Sequence, residues 1–374
     1  MKNITGSLKE YGMIIALVVI AIFFQITTNG ILFRPLNITN LVLQNGYILV
    51  LAVGMVLVIV TGKIDLSVGS VAGFIGSIAG VMMVDNGWPV WLAVLISLVV
   101  GCIVGAWHGY WIAYRKIPAF IVTLAGMLVF RGLTMFTLGG RTIAPFPSSF
   151  QVISTGFVTE ISAFVFSIVF SLVYISLQIR NLSIEKKYGV EPKHPFIFWG
   201  RIAIIVAVIN VFGYWFSAAN GVPYVLLLLS AIVVFYHYIS RNTVVGRHIY
   251  ATGGNEKAAE LSGIKTKRVV MFVYINMGFL AALAGLLFAA RLNAATPQAG
   301  IMFELDAIAA AFIGGASAMG GVGKVTGAII GAMVMGILNN GMSIMGIGVD
   351  IQQVIAGLVL LAAVVFDVTT KSKG

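Results

Sequence analysis

Twelve apolar runs, separated by short polar segments, constrain the fold of this chain more than any other feature of its sequence. Hydrophobic residues make up 60% of the 374 positions and charged residues only 9%, whereas a typical soluble domain has about 25% charged residues. A helix that crosses a bilayer needs about 20 mostly apolar residues. Because a soluble fold of this length could not bury so much apolar surface, the pattern predicts an all-α, polytopic protein that lies in membrane lipid.

The lengths of these runs predict about twelve crossings within one transmembrane domain, residues 1–374. The tenth run is short and rich in glycine, which indicates a broken or tilted helix. The predicted crossings are Gly12–Thr28, Leu41–Gly62, Leu66–Val84, Val90–Ala113, Ile117–Gly139, Phe157–Ile179, Phe196–Phe216, Pro223–Ser240, Val269–Ala290, Asp306–Met319, Val325–Met345 and Ile351–Phe366.

The basic residues predict the orientation of the chain. When the N-terminus is placed inside and the crossings alternate, most of the 23 Lys and Arg residues fall in inner segments. Only Arg34, Arg141 and Arg291 fall in outer segments. Because positive charge collects in cytoplasmic segments, both termini are expected in the cytoplasm. The same distribution explains the net charge of +11 without a nucleic-acid partner.

Two inner loops are long. Residues 180–196 are polar, charged and interrupted by proline, which favours a flexible surface loop. Residues 241–268 are different, because Asn255 suits a helix N-cap, Glu256 suits the first turn, and Gly263 suits a helix stop. We therefore predict a short, stiff helix inside this second cytoplasmic loop.

The stretch TGKIDLSVGSVAGFIGSIAG, Thr61–Gly80, combines a charged pair with a row of small residues. We expect Lys63 and Asp65 in a solvated inner turn, with Asp65 as N-cap of the next helix; a functional role for the pair is the second reading. The four glycines that follow recur at helical spacing and line one face. Such a face lets membrane helices approach closely, although glycine-interrupted helices also build substrate sites in transporters.

The sequence carries no obvious catalytic chemistry. The segment GGVGKV, Gly320–Val325, departs from a phosphate-binding loop because Val325 follows Lys324 and the first glycine is missing. The four histidines lack metal-site spacing. We expect the acidic residues in loops or at crossing ends, which argues against a proton or sodium symporter. The expectation is a chain without cofactor or metal whose energy source is a partner protein.

Five motifs nevertheless resemble the permeases of bacterial ribose, xylose and galactose importers, which belong to the ATP-binding-cassette class. The resemblance covers nearly the whole chain and is closest to xylose and multiple-monosaccharide permeases. Lys63 departs from the pattern, since many relatives have a small residue there. The motifs are Ile64–Ser70, Tyr114–Gly132, Gly246–Ile264, Phe303–Ala332 and Asn339–Gly346.

The resemblance implies a complex in the bacterial inner membrane. Two permease copies form the pathway, a cytoplasmic ATPase binds ATP and Mg, and an extracytoplasmic protein delivers the sugar. It also implies an inverted pseudo-repeat and a signature formed by Asp65, Ser67 and Gly69. The segment Gly254–Gly263 would be the helix that couples to the ATPase. Its expected contact residues are Gly254, Asn255, Glu256, Ala258, Ala259, Glu260 and Gly263.

A sugar pathway needs polar side chains and aromatic faces at membrane depth. The candidates are Gln44, Asn45, Phe120, Thr123, Asn276, Asn339 and Asn340. For most of them a hydrogen bond between helices is the competing explanation. The outer arginines Arg34, Arg141 and Arg291 are candidates for docking of the sugar-binding protein. A stand-alone secondary transporter is the alternative function, and a channel is disfavoured because no polar ring repeats.

Overall fold

The computed structural model describes residues 2–188 and 195–371. In these residues the chain forms fifteen α-helices and one antiparallel pair of two-residue strands, β1 (Phe157–Val158) and β2 (Val222–Pro223). A π-helical segment, Val81–Asp85, continues the third helix. The helices are α1 (Lys2–Thr27), α2 (Pro35–Val60), α3 (Val68–Gly80), α4 (Val90–Ala113), α5 (Ala119–Leu138), α6 (Ser148–Thr155), α7 (Glu160–Lys187), α8 (Pro195–Ser217), α9 (Tyr224–Asn242), α10 (Val244–Gly254), α11 (Glu256–Leu261), α12 (Thr266–Leu292), α13 (Phe303–Ile313), α14 (Val325–Ile344) and α15 (Val349–Lys371).

The predicted all-α, polytopic architecture is confirmed, and each of the twelve predicted crossings coincides with a helix. Within the described ranges, nine helices are long and apolar enough to cross a membrane; these are α2, α3 with its π-helical extension, α4, α5, α7, α8, α9, α12 and α14. The apolar parts of α1 and α15, Gly12–Thr27 and Val349–Val365, are shorter.

The tenth predicted crossing is a half-length helix. α13 has 11 residues, which at 1.5 Å per residue reach about half of the roughly 30 Å hydrocarbon core. It ends at Gly314, and Gly315 follows in the left-handed conformation with φ of 82°. The predicted broken helix is therefore confirmed, although it begins at Phe303 rather than at Asp306.

The centre of the bundle is formed by α12, which packs against α2, α3 and α4. Most residues of α2 are buried along its whole length, as expected for a helix that is apolar on every side. By contrast, α4, α5, α7 and α8 each expose many large apolar side chains. These outer helices present the surface that lipid or a second protein covers.

Glycines set the closest helix contacts, as the spacing predicts. Gly105 of α4 lies against the backbone of Tyr274 in α12, and Gly101 faces Gly278 in the same way. A Cβ on either α4 glycine would overlap α12 backbone atoms. These helices can therefore pack at backbone distance only because the facing positions carry no side chain.

One expectation about the inner loops is wrong. The segment predicted as a flexible loop from residue 180 is largely helical, because α7 continues to Lys187; residues 189–194 lie outside the described part. The short helix predicted within residues 241–268 is present as α11, and a second helix, α10, precedes it. The reason is that Thr243 caps α10 by accepting a hydrogen bond from the Gly246 N–H at 3.2 Å.

Candidate functional site

The helix α11 has the termini that the sequence predicts. The Asn255 side chain accepts a hydrogen bond from the Ala258 N–H at 2.9 Å, which satisfies one free amide of the first turn. Gly263 follows the helix with φ of 86°, a conformation that favours glycine. Gly254 lies outside α11, since it is the last residue of α10.

One face of α11 is exposed and the other is anchored to the bundle. Leu261 is 85% exposed, while Ala259 is buried, so Ala259 packs inward rather than offering a contact to a partner. The Glu260 carboxylate accepts a hydrogen bond from the Thr266 hydroxyl at 2.9 Å. Because Thr266 begins α12, this bond ties α11 directly to the central helix of the bundle.

The end of α10 is attached to two further segments. Gly253 lies against the Val60 carbonyl oxygen, where α2 ends. The same oxygen accepts a hydrogen bond from the Gly321 N–H at 2.8 Å. The Tyr250 hydroxyl donates to the Gly323 carbonyl oxygen at 2.6 Å. We call α10, α11 and these attached segments the inner platform, because the charge distribution predicts that they lie on the inner side.

Lys63 joins the Thr61–Gly80 stretch to the inner platform. Its Nζ lies 3.5 Å from Glu256 Oε2 at the start of α11. The Lys63 side chain is largely buried and that of Glu256 is half-exposed, so the pair is only partly screened by solvent. The turn after α2 therefore contacts α11, the helix for which the family resemblance implies a coupling role.

The expectation of a solvated Asp65 at the N-cap is wrong. Asp65 is only 3% exposed, and its Oδ1 accepts hydrogen bonds from the Ser67 N–H at 2.8 Å and the Ser67 hydroxyl at 2.6 Å. These bonds close a local turn before α3, so that Ser67 occupies the N-cap position. Asp65 thus shapes the turn from within the protein.

Gly69, the next residue of the signature, packs against the segment that contains Gly300 and Glu304. A Cβ there would overlap the Gly300 carbonyl oxygen and the Glu304 carboxylate. The segment Arg291–Leu305, between the predicted crossings Val269–Ala290 and Asp306–Met319, therefore packs onto α3 with its second half. The glycine face of α3 is the surface that accepts it.

Glu304 is the second buried carboxylate, at 6% exposure. Asp65 lies in the loop between α2 and α3, and Glu304 lies in the first turn of α13, so both occupy a loop or a helix end as expected, but both are buried. Within the described chain, Glu304 Oε2 has no hydrogen-bond partner. Its carboxylate lies within electrostatic range of Arg131 on α5 and of Asp65.

Two further buried polar groups were not predicted from the sequence. His108 on α4 and Tyr274 on α12 are both buried, and both lie within electrostatic range of Asp65. His108 Nε2 and the Tyr274 hydroxyl have no hydrogen-bond partner among the described atoms. The one sequence signal for the histidine is Gly126, whose missing side chain leaves the space that His108 fills.

Four pathway candidates make hydrogen bonds within or between helices. Asn45 donates to the Leu41 carbonyl oxygen at 2.8 Å, Thr123 donates to the Ala119 carbonyl oxygen at 2.9 Å, and Asn276 accepts from the Tyr236 hydroxyl. Asn340 exchanges hydrogen bonds with Asn37 at 2.9 and 3.2 Å.

The other three candidates differ in exposure and make no single site. Gln44 and Phe120 are exposed, and Asn339 is half-buried. Together with the four hydrogen-bonded candidates, they are spread over α2, α5, α12 and α14. Which of the seven residues line a sugar pathway stays a prediction.

The three outer arginines lie at helix ends opposite the inner platform. Arg34 precedes α2 and is exposed. Arg141 follows α5 and forms an ion pair with Asp85 at 2.7 Å. Arg291, near the end of α12, is half-buried and lies within electrostatic range of Tyr47. Arg291 is therefore less available to a docking partner than Arg34.

The described helices form a polytopic bundle with the inner platform at one end. Residues 37–364 match the family model described as the permease component of the branched-chain amino acid transport system. The chain belongs to this family of transport-system permeases.

The curated relatives extend over almost the whole chain. The xylose transport system permease protein XylH of Escherichia coli K12 is 40% identical over 98% of this chain and 93% of its own. The XylH protein of Haemophilus influenzae is 37% identical over 98% of both chains. The ribose import permease protein RbsC of Haemophilus influenzae is 34% identical over 98% of this chain and 97% of its own. No solved structure matches the chain. These relatives confirm the resemblance to monosaccharide permeases.

Proposed function

We propose that the chain is the membrane-spanning subunit of an ATP-binding-cassette importer that brings a monosaccharide, xylose or a related aldose, into the cytoplasm. The observation that carries this proposal is the 40% identity to a xylose permease over 98% of the chain. The anchored inner platform supports it, because a permease driven by a separate ATPase needs a stiff contact element at its cytoplasmic face.

The proposed complex lies in the bacterial cytoplasmic membrane, with both termini in the cytoplasm. It contains a second permease copy, a cytoplasmic ATPase and an extracytoplasmic sugar-binding protein. ATP and Mg would bind on the ATPase, which agrees with the missing phosphate-binding loop at Gly320–Val325.

The inner platform offers a route from the ATPase to the helices. A partner that contacts Leu261 on the exposed face of α11 would act on a helix tied to α12 through Glu260 and Thr266. The same movement would reach the end of α2 through Gly253 and Val60. Two central helices would therefore respond together when the ATPase changes its conformation.

The test is reconstitution of the chain with an ATPase and a sugar-binding protein of the same transport class. We expect ATP-dependent uptake of labelled xylose, with competition by ribose reporting the breadth of the site. Leu261→Asp should lose the ATPase on co-purification, because it places a charge in an apolar contact, whereas Leu261→Met should retain it. Retention of the ATPase by Leu261→Asp would contradict the contact.

A stand-alone secondary transporter is the second candidate. The observation that favours it is the burial of Asp65 and Glu304, since buried carboxylates serve as ion relays in such proteins. Uptake by vesicles that contain this chain alone, abolished by a protonophore, would support the second candidate. Uptake that requires ATP and the ATPase would support the first.

A further inference from the structure

Three aromatic rings from distant parts of the chain meet at the start of the half-length helix α13. Tyr47 lies at the middle of α2, Phe288 lies near the end of α12, and Phe303 begins α13. The ring centroids of Tyr47 and Phe303 are 4.1 Å apart. The centroid of Phe288 lies 5.2 Å from that of Tyr47 and 5.0 Å from that of Phe303. We call these three residues the aromatic trio; its mutual contacts fix Tyr47 relative to α12 and α13.

Two ionisable side chains of opposite sign act on Tyr47. Arg291 in the last turn of α12 and Asp306 in the first turn of α13 both lie within electrostatic range of the phenol. Both side chains are half-buried. Neither takes part in the two ion pairs between described residues. The guanidinium and the carboxylate therefore remain available to a ligand that reaches the aromatic trio.

Gln44 extends this arrangement by one helical turn. It lies three residues before Tyr47, so both side chains are on the same face of α2. Gln44 is exposed, although α2 is one of the helices long and apolar enough to cross a membrane. An amide that faced hydrocarbon would lose its hydrogen bonds with water at a cost of free energy. Polar and ionisable groups at membrane depth mostly face the bundle interior or a water-filled space, so this face of α2 suits a polar ligand better than lipid.

We infer that the aromatic trio, together with Gln44, Arg291 and Asp306, forms a binding subsite for a monosaccharide inside the permease. The inference rests on the proposed function and names the residues that would contact the sugar. Small-molecule sites combine aromatic side chains with a few polar or charged groups that fix the orientation of the ligand. Here a carboxylate accepts hydrogen bonds from sugar hydroxyls, a guanidinium donates them, and the Tyr47 phenol and the amide can do both.

The position and exposure of the subsite suit a sugar in transit. Arg291 lies at the end of α12 that the charge distribution predicts to be outside, the side from which the sugar would arrive. Broken helices such as α13 form substrate sites near the midplane in other transporters. Phe303 is buried, whereas Tyr47 and Phe288 keep part of their surface accessible. A partly open site can hold a sugar without enclosing it, so that release stays fast.

The test measures sugar binding and sugar transport separately. Saturation-transfer NMR measures binding of xylose to the purified full-length chain in a neutral detergent, and uptake is measured after reconstitution with the ATPase and the sugar-binding protein. Tyr47→Phe removes the hydroxyl but keeps the ring contacts, and it should weaken xylose binding about five-fold. Asp306→Asn keeps the size of the side chain but removes its charge, and it should weaken binding at least about ten-fold.

Each variant has a matched control. Asp350 also lies in the first turn of a helix, α15, but it is exposed, so Asp350→Asn should bind xylose like the wild type. Tyr214 is an exposed tyrosine of α8, and Tyr214→Phe should likewise bind normally. Melting temperatures without sugar show whether the variants fold, and a loss of binding explained by unfolding counts against the inference.

The outcomes separate this inference from the proposed function. If the wild-type importer takes up xylose but Tyr47→Phe and Asp306→Asn bind and transport it normally, the inference is wrong and the proposed function stands. Binding that both variants lose, without any wild-type uptake, would support the subsite and contradict the proposed function. A wild-type chain that neither binds nor transports xylose would refute both. If native mass spectrometry shows that either variant loses a permease dimer, the face is a contact between copies and the inference is wrong.

Discussion

Replacing Gly253 by alanine perturbs the closest contact between α10 and the end of α2. A Cβ at this position would overlap the Val60 carbonyl oxygen and would lie 2.9 Å from the Gly321 nitrogen. Both neighbours are backbone atoms, which cannot move aside by changing a rotamer. The adjacent Gly254 is the matched control, because a Cβ there would meet no described atom within 4 Å.

The difference between the two variants isolates the contact. Gly253 and Gly254 are the last two residues of α10, so alanine should favour the helix by a similar amount at each, up to about 1 kcal/mol. Overpacking a close contact costs about 1–3 kcal/mol. Displacement of the Val60 carbonyl would also weaken its bond from Gly321, which is worth about 1 kcal/mol. Gly253→Ala should therefore be about 1–4 kcal/mol less stable than Gly254→Ala.

Thermal unfolding of the purified chain, followed by tryptophan fluorescence, measures this difference. In the reconstituted importer, Gly253→Ala should also hydrolyse ATP with reduced sugar uptake, because α10 can no longer seat against α2. Gly254→Ala should retain both properties. Equal melting temperatures and equal uptake in the two variants would refute the close contact and the coupling route drawn from it.

Three further predictions concern charged groups. Lys63→Glu should lower the free energy of unfolding by about 0.2–1 kcal/mol, because it breaks the partly exposed pair with Glu256, and it should reduce ATP-coupled uptake. The double variant Lys63→Glu with Glu256→Lys should restore uptake. Failure to restore uptake would argue against the pair. Arg34→Glu should raise the half-saturating concentration of sugar-binding protein, most at low salt. Because Arg291 is half-buried, Arg291→Glu should reduce expression instead. Identical effects of the two variants would contradict the difference in exposure. Glu256→Cys in a Cys102→Ser background should react with an impermeant thiol reagent only in inverted membranes, and labelling of intact spheroplasts would overturn the orientation.

Features encoded over a few neighbouring residues could be predicted from the sequence. The crossing predicted at Val90–Ala113 has the same bounds as α4, because an uninterrupted apolar run leaves no other state for the backbone in lipid. The start and stop of α11 follow from Asn255 and Gly263, which act on the amides and the dihedral angles of adjacent residues. Such signals do not depend on distant parts of the chain.

The burial of Glu304 and His108 could not be predicted, because the segments that cover them are distant in the sequence. Glu304 follows a polar connection and has the local context of an exposed helix start. It is buried because Gly69 and Gly300 allow the second half of that connection to pack onto α3. His108 is buried because Gly126 on α5 leaves room for the imidazole. In both cases the informative residue is a glycine on another element, and sequence alone does not pair it with its neighbour.

Within a few residues, the stretch Thr61–Gly80 contacts both the inner platform and the segment that carries the buried Glu304. Lys63 contacts Glu256 on α11, Asp65 closes the turn through Ser67, and Gly69 lies against the segment that carries Glu304. A displacement of α11 that moved Lys63 would act on a short turn held by buried hydrogen bonds. Because that turn sets the start of α3, the displacement would also change how α3 packs against the start of the broken helix α13. The charged pair and the small residues beside it therefore serve one arrangement, in which the contact with α11 and the contact with the start of α13 are separated by a single turn.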